Sequence, residues 1–205
     1  MKKLGSLFRD LTKDFRFTIA FVILLVLLFL AILSFFSPYH PQRMYQVPRG
    51  RPPSWEHLLG TNWLGQDVFW QLTFAVRNSL LIAVITSLIS RIIAIFVGMV
   101  AGYRGGLVDR ILMIIGDTTM VLPSLVVLIV VSTILREWVR HLTNLGLLLA
   151  FFSWAWDARV IRSQILSLRE REFTFVAILS GMRTTKLVLK QYLPHVLPVI
   201  LTTLI

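Results

Sequence analysis

LSLREREFTFVAILSGMRTTKLVLKQYLPHVLP, residues 166–198, is a charged stretch set between apolar runs long enough for a bilayer. Ser167 stands three residues before Glu170, the spacing of a capping box. The serine hydroxyl would meet the Glu170 amide, and the Glu170 carboxylate would return to the Ser167 amide. Phe173, Val176, Ala177 and Ser180 follow at helical spacing and predict one low-profile face. Gly181 is expected to close the helix, because it takes the left-handed conformation a C-terminal cap requires. Arg162, Arg169, Arg171, Arg183, Lys186 and Lys190 surround it. The segment reads as a short helix built to dock, with Phe173, Val176 and Ala177 as anchors at i, i+3 and i+4.

The surroundings are membrane-like. Hydrophobic residues make up 56% of the chain and charged residues 15%, with a mean hydropathy of +0.76; soluble domains carry about 25% charged residues. Cysteine is absent, which excludes disulfides and cysteine-ligated metal. The net charge of +11 does not point to nucleic acid. Its basic residues gather at the ends of apolar runs rather than along one face, as cytoplasmic loops do.

Taken in order, residues 1–16 form a basic segment and 17–36 a nearly unbroken apolar run, about the twenty residues a spanning helix needs. That run enters SFFSPYHP rather than a small-residue cleavage site, so it reads as an uncleaved first span. Residues 37–76 form an external loop, its first half too rich in proline for a long helix. A core of 77–205 would hold spans at about 80–102, 107–134 and 143–156, a cytoplasmic loop at 158–192, and a fifth span starting at Leu197. The inside segments carry twelve Lys and Arg and the outside ones (37–76 and 135–142) five. That asymmetry puts the amino terminus and the docking helix in the cytoplasm.

Three blocks resemble one family. The docking segment resembles the coupling loop of bacterial ABC-importer permeases, where a glutamate-alanine-alanine run is followed by glycine and then leucine-proline. Those positions fall on Phe175, Val176, Ala177, Gly181, Leu193 and Pro194, with departures at Phe175 and Val176. The string HLLGTNWLGQDVFWQLTFAVRNSL resembles the dipeptide/oligopeptide importer group. It matches at Leu59, Gly60, Thr61, Leu64, Gly65, Asp67, Val68, Ala75, Arg77 and Ser79. Asn62 and Gln66 stand where that group has aspartate and arginine. GYRGGLVDRILMIIGD resembles the same permeases over Gly102, Tyr103, Gly105, Gly106, Asp109, Met113 and Asp117.

The resemblance implies an all-α polytopic bundle of the type I importer kind, with about five of six expected spans. It implies a multi-pass protein of the bacterial plasma membrane, and a chain that is truncated or unassigned beyond its fifth span. The expected function is the pore-forming subunit of an ATP-driven importer. It would take peptides, or oligosaccharides as the second expectation, from an external solute-binding protein by alternating access. Expected partners are a second homologous permease subunit, two ATP-binding cassette subunits and membrane lipids. ATP and Mg would sit on the cassette subunits, with no cofactor on this chain. The coupling role falls on Arg169, Glu170, Glu172, Phe173, Val176, Ala177 and Gly181.

Two charges lie inside predicted spans and need partners. Arg91 and Asp117 each stand eleven residues from the Gly102–Gly106 turn, roughly 16 Å along their helices at 1.5 Å per residue. An Arg91–Asp117 ion pair is expected, fixing helix packing or serving the gate. No phosphate-binding GxxxxGK[ST], HExxH or histidine cluster occurs. His40, His57, His141 and His195 are scattered at span boundaries, so the chain is not expected to be an enzyme. The competing reading is a membrane scaffold or small channel whose basic loop binds anionic lipid.

Overall fold

The computed structural model describes residues 14–202. The expected cytoplasmic segment falls mostly outside them, as does the end of the expected fifth span. Among the described residues the regular structure is helical, and a lone antiparallel bridge joins Thr61 to Asp67. The chain divides into two units between Leu81 and Ile82.

In the first unit, α1 (Phe15–Leu33) starts where the Asp14 carboxylate accepts from the Arg16 amide at 2.9 Å, and a 3₁₀ turn (Ser34–Phe36) ends it. Val22, Ile23, Leu25 and Phe29 are all exposed. A helix apolar on every side belongs in lipid. Together Phe15–Phe36 is long and apolar enough to cross a bilayer.

The loop that follows is an ordered hydrogen-bonded knot. Thr61 Oγ1 donates to the Pro48 carbonyl at 2.6 Å and accepts from the Arg51 amide at 2.9 Å. Gly60 and Gly65 both have positive φ. A Cβ on Gly60 would lie 2.5 Å from the Arg51 carbonyl oxygen, and one on Gly65 2.8 Å from that of Val47. These glycines are required by close backbone approach as well as by conformation. Asp67 is buried and works in two directions. Oδ1 accepts from the Trp70 amide at 3.1 Å, an N-terminal cap, and Oδ2 lies 2.7 Å from His57 Nδ1.

The cap explains a correction. The next helix, α2 (Val68–Arg104), begins inside the stretch read as external loop. Asn62 and Gln66, the two departures from the group's charged pattern, hydrogen-bond each other: Asn62 Nδ2 donates to Gln66 Oε1 at 2.9 Å. A neutral amide pair thus stands where the group's pattern has opposite charges. Beyond it, the Arg77 guanidinium lies 5.1 Å from the Phe35 ring centroid and 4.8 Å from that of Phe74. These are cation–π distances that tie α2 to the end of α1.

In the second unit α2 continues to Arg104 and turns through Gly105 and Gly106, both with positive φ, into α3 (Gly106–Val121). The third span was expected as one helix over 107–134. It is instead α3 and α4 (Ser124–Ile134), bent by 84°. Pro123 is the cause: it has no N–H, and it holds Leu122 extended at φ −63°, ψ 131°. After the short α5 (Arg136–Val139) comes α6 (Leu142–Arg169), 28 residues where a span of 143–156 was expected. By length and apolarity two described helices qualify as spans, or three if the α3–α4 pair is one. Helix α6 is not among them, although its 28 residues are long enough for a crossing.

Helices α2 and α6 run parallel, with backbones nearly touching. A Cβ at Gly146 would lie 2.8 Å from Ile85, one at Gly98 2.6 Å from the Ala158 carbonyl oxygen, and one at Gly102 2.8 Å from Ile165. Small residues let membrane helices approach this closely. Around the seam pack Ala94, Met99, Trp154, Ala158, Ile161 and Ile165, all buried.

Gly98→Val should therefore destabilise the chain by about 1–3 kcal/mol through overpacking. Gly116→Ala, whose Cβ meets nothing closer than 3.6 Å, should leave the thermal midpoint in detergent nearly unchanged. Asn62→Asp alone should lower that midpoint, because it replaces the donor to Gln66 with an unpaired charge. Adding Gln66→Arg should restore it; a double variant no better than the single would refute the pairing.

Candidate functional site

The docking segment folds as α7 (Glu172–Leu179), eight residues. Its C-terminal end is a Schellman motif: the Gly181 amide donates to the Ile178 carbonyl at 2.9 Å and the Met182 amide to Ala177 at 3.0 Å. Gly181 supplies the required φ of +73°. The stop was expected and is observed.

The start differs. Ser167 lies within α6, which runs to Arg169 with Glu170 as its C-cap, and α7 is preceded by Arg171 with no side-chain cap bond. The Ser167–Glu170 capping box does not form, because the long apolar register of α6 carries the helix through Ser167. Glu172 occupies the first turn of α7 and complements the positive end of its dipole. Arg169 turns back onto its own chain, where Nη1 donates to the Gly102 carbonyl at the end of α2 at 3.1 Å.

The buried face of α7 is set by Thr174 and Ala177, with Phe173 half-buried beside them. Thr174 Oγ1 donates to the Leu168 carbonyl at 2.7 Å, which leaves its lone pairs to accept from the Tyr192 hydroxyl at 3.2 Å. Tyr192 is fully buried. Phe173 lies edge-on to the Tyr192 ring, with centroids 6.4 Å apart, and stacks on His195 at 5.4 Å. Two of the three expected anchors, Phe173 and Ala177, therefore seat α7 on its own chain, and Val176 alone points outward. The outward apolar face is Phe175, Val176, Ile178 and Leu179, the last 87% exposed.

Tyr192 was not singled out in the sequence, where it looks like any interfacial tyrosine. It is brought inward by a π-helical segment (Val188–Tyr192) between α8 (Thr184–Leu187) and α9 (Leu193–Thr202). Pro194 accounts for the widened turn. It cannot donate to the Lys190 carbonyl, and its ring would clash there in an α-helix. The leucine-proline position of the resemblance was thus the available signal.

The expected Arg91–Asp117 pair does not form. Arg91 pairs with Asp157 and Asp117 with Arg159, while Arg162 grips Asp109 with two nitrogens. All three bridges reach α6. Equal depth on neighbouring helices was a sound count, but it left out the third helix, whose Asp157 and Arg159 lie beside both charges. The Arg91–Asp157 pair is largely enclosed, at 14% and 13% side-chain exposure, whereas Arg159 and Asp117 are about half exposed. The enclosed pair decides whether α2 can hold a charge there at all.

Comparison with known proteins follows the same residues. Residues 94–205 match the family described as the binding-protein-dependent transport system inner membrane component. The chain is 29% identical over 208 residues to the oligopeptide transport system permease protein OppC of Bacillus subtilis, covering 99% of this chain and 67% of that protein. It is 32% identical over 182 residues to the dipeptide transport system permease protein DppC of the same organism, covering 87% and 56%. It is 35% identical over 164 residues to the nickel transport system permease protein NikC of Escherichia coli, covering 80% and 58%. The chain thus spans between about half and two thirds of the length of these relatives.

Arg91→Ala should cost about 3–5 kcal/mol, because it leaves the enclosed Asp157 carboxylate without its opposite charge, and Asp157→Ala should also destabilise by taking a carboxylate away from Arg91. The apolar double variant Arg91→Met, Asp157→Leu should recover most of that loss in detergent unfolding. Additive losses would show that the two residues act independently.

Proposed function

The chain belongs to the binding-protein-dependent transport system inner membrane component family, and from that premise we propose that it is the pore-forming permease subunit of an ATP-driven importer. Its substrate class is peptide, delivered by an external solute-binding protein. The similarity to oligopeptide and dipeptide permeases supports this choice. Nickel complexes are a second reading, favoured by the likeness to a nickel permease.

The observation that carries the mechanism is the two-faced α7. One face is locked by Thr174 and Tyr192, and the other presents Phe175, Val176, Ile178 and Leu179 to the outside. Exposed apolar side chains on a charged loop require a partner or remain a liability. A helix laid into a hydrophobic groove is a recurring way to satisfy them. The groove is that of an ATP-binding cassette subunit, one of two that work with this chain and a second permease subunit. ATP and Mg²⁺ are held by the cassette subunits.

When the cassettes close, α7 is carried with them as a rigid body. Its bonds to Leu168 and Tyr192, and the Arg169 bond to Gly102, pass that displacement to α6, α9 and α2. The spans tilt and the cavity changes the side to which it opens. In this reading the loop from Arg171 to Lys190 is cytoplasmic, as is the amino terminus. The lysine and arginine asymmetry of the sequence supports that orientation.

Leu179→Asp together with Phe175→Ser should leave the permease in the membrane at normal levels. It should abolish co-purification of the cassette subunit and lower ATP-dependent peptide uptake at least tenfold. Uptake within twofold of the parent would overturn the coupling role. Gly181→Val should act in the same direction through its backbone alone, since no atom within 4 Å would meet its Cβ.

A further inference from the structure

An open groove of about 510 Å³ runs along α2 between Ile92 and Arg104, facing α8, the π segment and the start of α9. Its walls are carbon: Ile92 and Phe96 on one side, Val188 and Leu189 on the other. Its polar groups are Arg104, Thr185 and the hydroxyls of Tyr103 and Thr184, which bond each other at 3.1 Å. Twelve residues separate Ile92 from Arg104, so the groove is about 18 Å long at 1.5 Å per residue. That is close to one leaflet, about 15 Å or half of the hydrocarbon core.

Its length and its charge narrow the occupant. No acidic residue lines it. Arg104 is exposed and has no ion pair among the described residues, and Arg183 and Lys186 are exposed on the neighbouring loop. We propose that the groove seats one acyl chain of an anionic phospholipid, its phosphate held at Arg104 and Thr185. The proposal rests on the orientation given above, which puts Arg104 at the cytoplasmic surface of the bilayer. A bound lipid there would wedge α2 against the π segment that anchors α7, so lipid charge would bear on coupling.

The test uses the full chain in vesicles with phosphatidylglycerol carrying a photoreactive group on its acyl chain. Phosphatidylcholine with the same label is the comparison, and labelled peptides are mapped by mass spectrometry. Phosphatidylglycerol should label residues 92–100 and 188–193 about fivefold more than phosphatidylcholine, the effect of one basic residue at an anionic surface. Arg104→Gln should reduce this to the phosphatidylcholine level, and Val100→Trp should remove labelling by both lipids. Equal labelling by the two lipids, insensitivity to Arg104→Gln, or an unlabelled groove covered by protein would each overturn the proposal. Unlabelled chains that still support ATP-driven uptake reject the lipid site alone. A labelled groove in chains whose Leu179→Asp variant transports normally rejects the coupling role alone.

Discussion

The second unit depends on how closely α6 lies against α2. At Gly98 and Gly102 the absence of a side chain lets the Ala158 and Arg162 carbonyls come within reach of the neighbouring backbone. Dispersion falls off steeply with distance, so this contact has no substitute in a medium as apolar as the side chains themselves. Once the backbones are this close, polar groups on the seam can find each other. Asp157, Arg159 and Arg162 each meet an opposite charge, and Arg169 reaches the end of α2.

Charge within these helices then becomes a device for register. An enclosed guanidinium–carboxylate pair adds little to net stability, yet a misplaced partner is costly. Sliding α6 by one turn would leave Arg91 without Asp157. The glycine approaches say how near the helices lie, and the ion pairs say at what height. Both constraints converge on the end of α6, where α7 is hung.

At α7 the same economy of contacts divides a short helix into two faces. Eight residues are too few to be stable alone. The Schellman turn at Gly181, the hydroxyl chain from Leu168 through Thr174 to Tyr192, and the packing of Phe173 hold it in place. What remains outside is apolar and unpaired. For the coupling role proposed above, a rigid lever with a free apolar face suits transmission of force better than a flexible loop would.

Local chemistry was legible from the residues: Gly181 as a left-handed stop, the all-round apolar α1, and a proline-rich stretch after it that forms no long helix. These depend on φ, on hydrogen-bonding groups and on composition, which a sequence carries one residue at a time. Partners were not legible. Whether Arg91 meets Asp117 or Asp157, whether Phe173 faces inward, and where Pro123 breaks a span depend on which helix stands beside which. Spacing along one helix predicts a face but cannot say what the face meets. Only the packed chain brings Tyr192, eighteen residues away, under Thr174.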